Sequence, residues 1–263
     1  MNKVENPWEG ILEPNIFLEK DKKIIEQFNL RLKQKPNLKL EDHDYYIHPD
    51  LLPEPYMGNP DANVVLLFAN PGYGKNERTD YSISGFKDAI IKNLTHSKSD
   101  YPYYYLNPDF IHPPTNGKPN YSDGGKWVRQ RMKEILIKID EKELTKKIFT
   151  IQLHPYHSAK FKPVTEKFVG HEYTMSKFKN AVERAKDRKA LIICARSYKH
   201  WNKEFQNLDP INNTDLKTQL NGNFIEMLFP RTTYFTPKHF GKGEIGNKNF
   251  ETLLEYLKGT LPK

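Results

Sequence analysis

Apolar residues gather along the chain in two kinds of pattern. The runs VVLLFA (64–69), IFTIQL (148–153) and ALIICA (190–195) are continuous and lack the polar alternation of a half-exposed strand. Strands covered on both faces carry this signature. A fourth run, TTYFT (232–236), preceded by FIEMLF, is expected to complete the sheet. Between the runs the period changes to that of a helix. Val128, Met132, Ile135, Leu136 and Ile139 share one face, as do Met175, Phe178, Val182 and Ala185, and later Phe250, Leu253, Leu254 and Leu257. Ile24, Ile25, Phe28 and Leu32 suggest another helix near the start. Strands alternating with helices predict a three-layer α/β/α fold around a central four-stranded parallel sheet. Residues 1–50 are expected to form a helical extension packed on the core, and 51–263 the α/β domain. Ligands of such sheets lie beyond the carboxyl ends of the strands, so the residues after each run are the candidates for chemistry.

Composition narrows the setting. A chain of 263 residues suits one sizeable core. Its 41 Lys and Arg against 33 Asp and Glu give a net charge of +8, which favours a polyanionic partner. Cys194 is the single cysteine, which removes internal disulfides and four-cysteine metal clusters. No apolar run approaches the ~18 residues that span a bilayer, and MNKVENPWEG lacks a signal-peptide core. These features predict a monomeric cytoplasmic protein with no membrane partner. The segment 95–126, rich in Tyr, Pro and Gly and without helical period, reads as a long aromatic loop that packs on the body or covers a site.

The first strand-end reads ANPGYGK, with Ala69, Asn70, Gly72 and Tyr73 around a fixed Pro71. A phosphate-binding P-loop is excluded, because Ala69 stands where its first glycine is needed and Asn76 follows Lys75. Asn, Pro and Gly also make ordinary turns, but here an amide is locked at the mouth of a parallel strand. The second strand-end, IQLHPYHSAKF, crowds Gln152, His154, Tyr156, His157 and Lys160. Its two histidines lack an adjacent acidic or cysteine ligand, so no metal and no cofactor are expected. Amide and imidazole groups can instead bond the edge of a planar polar ring while Tyr156 or Phe161 stacks on its face; histidines that merely cap the next helix are the plain alternative. The third strand-end supplies Arg196, Lys199 and His200. The late segment PRTTYFTPKHFGKG supplies Arg231, Lys238, His239 and Lys242, a short basic loop suited to a phosphate backbone or to solvent.

Taken together, these residues resemble the uracil-DNA glycosylase superfamily. PEPYMGNPDANVVLLFANPG is similar to its first motif in the form of the mismatch-specific and thymine-DNA glycosylase branch. The likeness runs over roughly 52–257 and is most specific at 69–74. It implies hydrolysis of the N-glycosidic bond of a modified or mismatched pyrimidine in DNA, without metal, for repair or for defence against phage. Asn70 would place the attacking water. Gly72 matches a position where the classical uracil enzymes carry a tyrosine that blocks C5 substituents, so a bulky base would be admitted. Gln152 or His154 would read the flipped base. Arg231, Lys238, His239, Lys242 and Lys160 would hold DNA, with Phe235 or Phe240 as a wedge. FTPKHF departs from the family's late motif by placing Thr236 where a histidine is expected, which passes the leaving-group contact to His154, His157 or His239. Two other readings stand beside this one: a catalytically silent nucleic-acid-binding protein of the same fold, and an N-glycosidase of free nucleosides or nucleotides.

Overall fold

The structure is a computed structural model describing residues 4–10, 18–32, 37–74, 76–208, 215–216, 224–227 and 234–260. Among these the strands are β1 (Tyr56–Gly58), β2 (Val64–Phe68), β3 (Ile111–Thr115), β4 (Lys118–Tyr121), β5 (Ile148–Gln152), β6 (Leu191–Ala195) and β7 (Phe224–Met227). The main sheet has the order β1-β5-β2-β6-β7. The four strands from β5 to β7 are parallel, and β1 adds an antiparallel edge. Successive residues of a strand point to opposite faces, and Val64, Val65, Leu66 and Leu67 are all buried, so both faces of β2 are covered. The continuous apolar runs have this cause.

Because β2 lies between β5 and β6, the chain leaves β2 for one neighbour and later returns to the other. The carboxyl ends of these strands therefore flank a topological switch point, where a crevice opens. Helices His171–Lys186 and Glu244–Lys258 bury the faces anticipated for them, including Phe178, Val182, Phe250 and Leu257. The pattern from Val128 to Ile139 is not one helix. It divides at Met132, with ψ of 13°, into Asp123–Arg131 and Lys133–Leu136.

Two further expectations are corrected. The fourth parallel strand is Phe224–Met227 and not 232–236. Residues 232–233 lie outside the described part, and Thr236 precedes a short helix that has Pro237 at its first turn. A proline there presets the helical φ and ends the extended run. The segment 95–126 is not a plain loop either. It contains a 3-10 turn, Tyr104–Leu106, and the hairpin β3–β4, closed through Asn116 and Gly117 with φ of 52° and 72°. Asn-Gly tolerates these left-handed angles, which match the twist of the paired strands. Tyr103, Tyr104, Tyr105 and Phe110 are buried against the body.

Two asparagines tie peripheral chain to this frame. Asn29, on helix Glu19–Leu30, donates to the Ile47 carbonyl at 2.9 Å and accepts from the Ile47 amide at 3.0 Å. Asn93, on helix Phe86–Leu94, donates to the Tyr56 carbonyl at 2.7 Å and accepts from the Gly58 amide at 2.9 Å. Each side-chain amide completes backbone groups that have no strand beside them. Truncating Asn93 to alanine orphans a buried N–H and a buried C=O, at about 1–3 kcal/mol per group. Asn93→Ala is expected to lower unfolding stability by about 2–6 kcal/mol on that scale; a loss below about 0.5 kcal/mol in denaturant titration contradicts the clamp.

Candidate active site at the switch point

The ladder between β2 and β5 does not stop where the strands end. The Leu153 amide donates to the Phe68 carbonyl at 3.1 Å, the His154 amide to Ala69 at 2.8 Å, and the Ser158 amide to Pro71 at 3.3 Å. The tip after β2 is thus fastened to the loop after β5. Asn70 is oriented by that loop. Its Nδ2 donates to the carbonyls of Pro71 (2.7 Å) and Ser158 (2.9 Å) and to Ser158 Oγ (3.0 Å). Ser158 Oγ gives its own hydrogen to the Lys160 carbonyl at 3.1 Å, so it is an acceptor for Asn70. Carbonyls cannot donate, which fixes the amide nitrogen on that side. Oδ1 is left without a hydrogen bond among the described residues, on a side chain that lines a cavity.

The cavity measures about 640 Å³ and is walled by the strand-ends of β2, β5 and β6. Ala69, Asn70, Gly72 and Tyr73 come from the first, Gln152, Lys160 and Phe161 from the second, and Arg196, Ser197 and His200 from the third. Tyr103, Tyr105 and Trp127, from the aromatic segment and the helix after it, close the far side. Gln152 is 7% exposed, and its Oε1 has no hydrogen-bond partner. A buried acceptor left unmade costs about 1–3 kcal/mol. Phe68, Phe161 and Trp127 offer ring faces or edges around it, with Trp127 edge-on to Phe68 at 5.8 Å. Tyr73 stacks on His48 with centroids 3.5 Å apart.

The two glycines of NPGYG answer different needs. At Gly72 the φ is not left-handed and an added Cβ would meet nothing within 4 Å, so the residue leaves space. At Gly74 a Cβ would run into the Asp123 carboxylate and come within 3.1 Å of Glu77 Oε2. That glycine permits two carboxylates to approach the backbone.

Behind the tip is a buried ionisable cluster. His157, 1% exposed, contacts the Gly72 carbonyl through Nδ1 at 2.8 Å, faces Glu54 Oε1 through Nε2 at 3.5 Å, and lies 3.9 Å from Glu77 Oε1. Burial alone would push its imidazole down; Glu54, then Glu77 and the Gly72 carbonyl, overcome this and raise it to about 9. Tyr105 donates its hydroxyl to Glu54 at 2.9 Å. Burial raises Glu77 to about 7 against the pull of His157, with Glu54 and Asp80 adding to the rise. Asp80, fully buried, accepts the Asp123 amide at 2.8 Å and meets His112 Nε2 at 2.5 Å.

The structure brings Ala69, Asn70, Gly72, Tyr73, Gln152, Lys160 and Arg196 to one cavity and leaves other candidates outside its wall. His154 packs between Phe161 and Phe168, and burial lowers it to about 3, with His171 and His200 adding to this. Tyr156 is buried and donates to Asp21 at 2.7 Å, anchoring helix Glu19–Leu30. His157 lies behind the tip and supports it. Lys160 pairs with Asp44 at 2.7 Å. Lys238, His239 and Lys242 lie away from the cavity lining, with His239 bonded to Thr236 at 2.6 Å and stacked on Tyr234. Arg231 lies outside the described residues. Phe235 and Phe240 are 1% and 3% exposed, core residues that cannot act as a wedge without unpacking. Glu54, Glu77, Tyr105, Asp123 and Trp127 were not singled out from the sequence, although Glu54 lies within the motif-like stretch and Glu77 just after it.

Among the described residues no three His, Cys, Asp or Glu side chains group to hold a metal, and no helix is long and apolar enough to cross a membrane. Comparison of the chain with protein-family models, curated proteins and solved structures finds no match.

The cluster makes stability depend on pH. His157 has its folded pKa raised from 6.5 to about 9, so its contribution is complete below pH 6.5 and drains away as pH rises through 9. His157→Gln should therefore cost more melting temperature at about pH 6 than at about pH 9.5. An equal cost at both pH values removes the charged pair from the account.

Proposed function

We propose that the protein is a DNA glycosylase that hydrolyses the N-glycosidic bond of a modified pyrimidine, with room for a substituent at C5. The observation that carries this reading is the pairing, in one cavity at the switch point, of an orientation-locked Asn70 with an unpartnered buried Gln152 Oε1. Gln152 has the chemistry to accept from a ring N–H or exocyclic amine, and the aromatic walls suit a planar ring. A base can reach such a cavity only after extrusion from the duplex, which costs a few kcal/mol. Water held by Asn70 Oδ1 would attack the sugar carbon as the base departs. The transition state carries positive charge on the sugar, and the carboxylates of Glu54, Glu77 and Asp123, all on the cavity wall, have the sign to stabilise it. Gly72 supports the size argument, since open space replaces a side chain there.

Cleavage of a free nucleoside is the second reading. It is favoured by Lys160 being paired with Asp44 and by Lys238 and Lys242 lying outside the lining. Excision from duplex DNA with a steep salt dependence argues for the first reading, and turnover of nucleosides alone argues for the second.

Asn70→Ala is expected to abolish most excision while DNA binding persists, a loss of roughly 2.7–4 kcal/mol in transition-state stabilisation. In the same assay Gly72→Tyr should depress excision of a bulky C5-modified pyrimidine far more than of plain uracil, because overpacking costs about 1–3 kcal/mol only where volume is already occupied. Equal losses on both substrates contradict the size argument, and Asn70→Ala with activity near that of the parent contradicts water placement.

A further inference from the structure

An asparagine amide has no useful basicity near neutral pH, so the proposed reaction lacks a group to take the proton of the attacking water. Three carboxylates line the cavity and differ in how their oxygens are used. Both oxygens of Glu54 accept from the Tyr105 hydroxyl, at 2.9 and 3.2 Å, and one faces His157 at 3.5 Å. The oxygens of Asp123 are taken by the amide and side chain of Asn76, each at 3.0 Å, and its side chain is 21% exposed. Glu77 is different. Its Oε2 accepts from the Gly74 amide at 3.2 Å, whereas Oε1 has only long contacts, 3.5 Å to the Tyr105 hydroxyl and 3.9 Å to His157. The residue is 6% exposed and lies seven positions after Asn70, beside the glycine that admits it.

We infer that Glu77 is the general base of this site, taking through Oε1 the proton of a water that Asn70 Oδ1 orients. The inference rests on the glycosylase reading. In the step, the water oxygen forms a bond to the anomeric carbon and the bond from that carbon to the base nitrogen breaks. Its electron pair leaves with the base, and the water proton passes to the Glu77 carboxylate. The base anion is then protonated from solvent, and Glu77 returns its proton to solvent. Gln152, on the same cavity wall, is a second polar side chain with an unbonded buried oxygen, its Oε1.

The surroundings also poise Glu77. Glu54, Asp80 and Asp123 face it or its backbone neighbour with negative charge, His157 with positive charge, and Tyr105 with a neutral hydroxyl. Burial and the neighbouring carboxylates raise it to about 7. A base poised near working pH combines ionisation with proton affinity.

The test is single-turnover abasic-site formation on two duplexes, one bearing uracil opposite guanine and one bearing 5-hydroxymethyluracil, with the full chain. The wild-type rate should climb as pH rises through about 7 and level above it. Glu77→Gln should be slower by roughly 10²–10⁴-fold, lose that climb and keep its DNA affinity, while Glu77→Asp recovers part of the rate. A wild-type rate flat between about pH 6 and pH 8, or a Glu77→Gln rate within about threefold of wild type, overturns the inference and leaves the glycosylase reading standing. A flat wild-type profile overturns the inference even if both variants fail to fold. A wild type that makes abasic sites on neither duplex overturns the inference together with the reading for these bases.

Discussion

The parallel pairing of β2 with β5 continues past the sheet, and the site depends on that continuation. Three backbone bonds, from Leu153, His154 and Ser158 to Phe68, Ala69 and Pro71, hold two strand-end loops against each other. Each bond contributes only about 0.5–1.5 kcal/mol. Together they leave Asn70 one orientation, with its nitrogen committed to Pro71 and Ser158. A side chain fixed in this way need not reorganise when a ligand arrives, and preorganisation of that kind is the larger part of electrostatic catalysis.

Beneath the tip, the charges of Glu54, Glu77 and His157 are buried together, an arrangement that fold stability alone does not favour. Buried ion pairs lose several kcal/mol of hydration per ion, and packed apolar residues often serve a core better. Perturbed buried groups beside a cavity are more often found where chemistry is done. Here the cluster touches the Gly72 carbonyl, the Gly74 amide and the Tyr105 hydroxyl, so one set of charges positions both the tip and the far wall.

Much of the frame was legible in the sequence because burial on both faces leaves an unbroken apolar run. The runs at 64–69, 148–153 and 190–195 correspond to β2, β5 and β6 within a residue at each end. β7 was misplaced because TTYFT has strand composition while Pro237, immediately after it, already turns the chain into a helix. β1 is too short, at three residues, to show a period, and the two prolines of β3 hide a hairpin that Asn116-Gly117 announces. In the site, the cavity-facing set from Ala69 to Tyr73, with Gln152 and Arg196, could be located because strand-ends converge at a switch point. The facing of His154, Tyr156 and His157 could not, since an irregular loop has no period from which to read direction. Glu54 and Trp127 reach the cavity only through tertiary packing, which no local pattern encodes.

On the proposed reading, a flipped pyrimidine enters this cavity and loses its sugar bond. The most direct measurement is to incubate the wild-type protein with a panel of duplexes carrying C5-modified pyrimidines and with phage DNAs containing modified bases, and to score abasic sites by alkaline strand scission. On that reading, abasic sites are expected at one or more modified pyrimidines, with the freed base recovered in equal amount. Intact strands across the panel, with no base released, would contradict it.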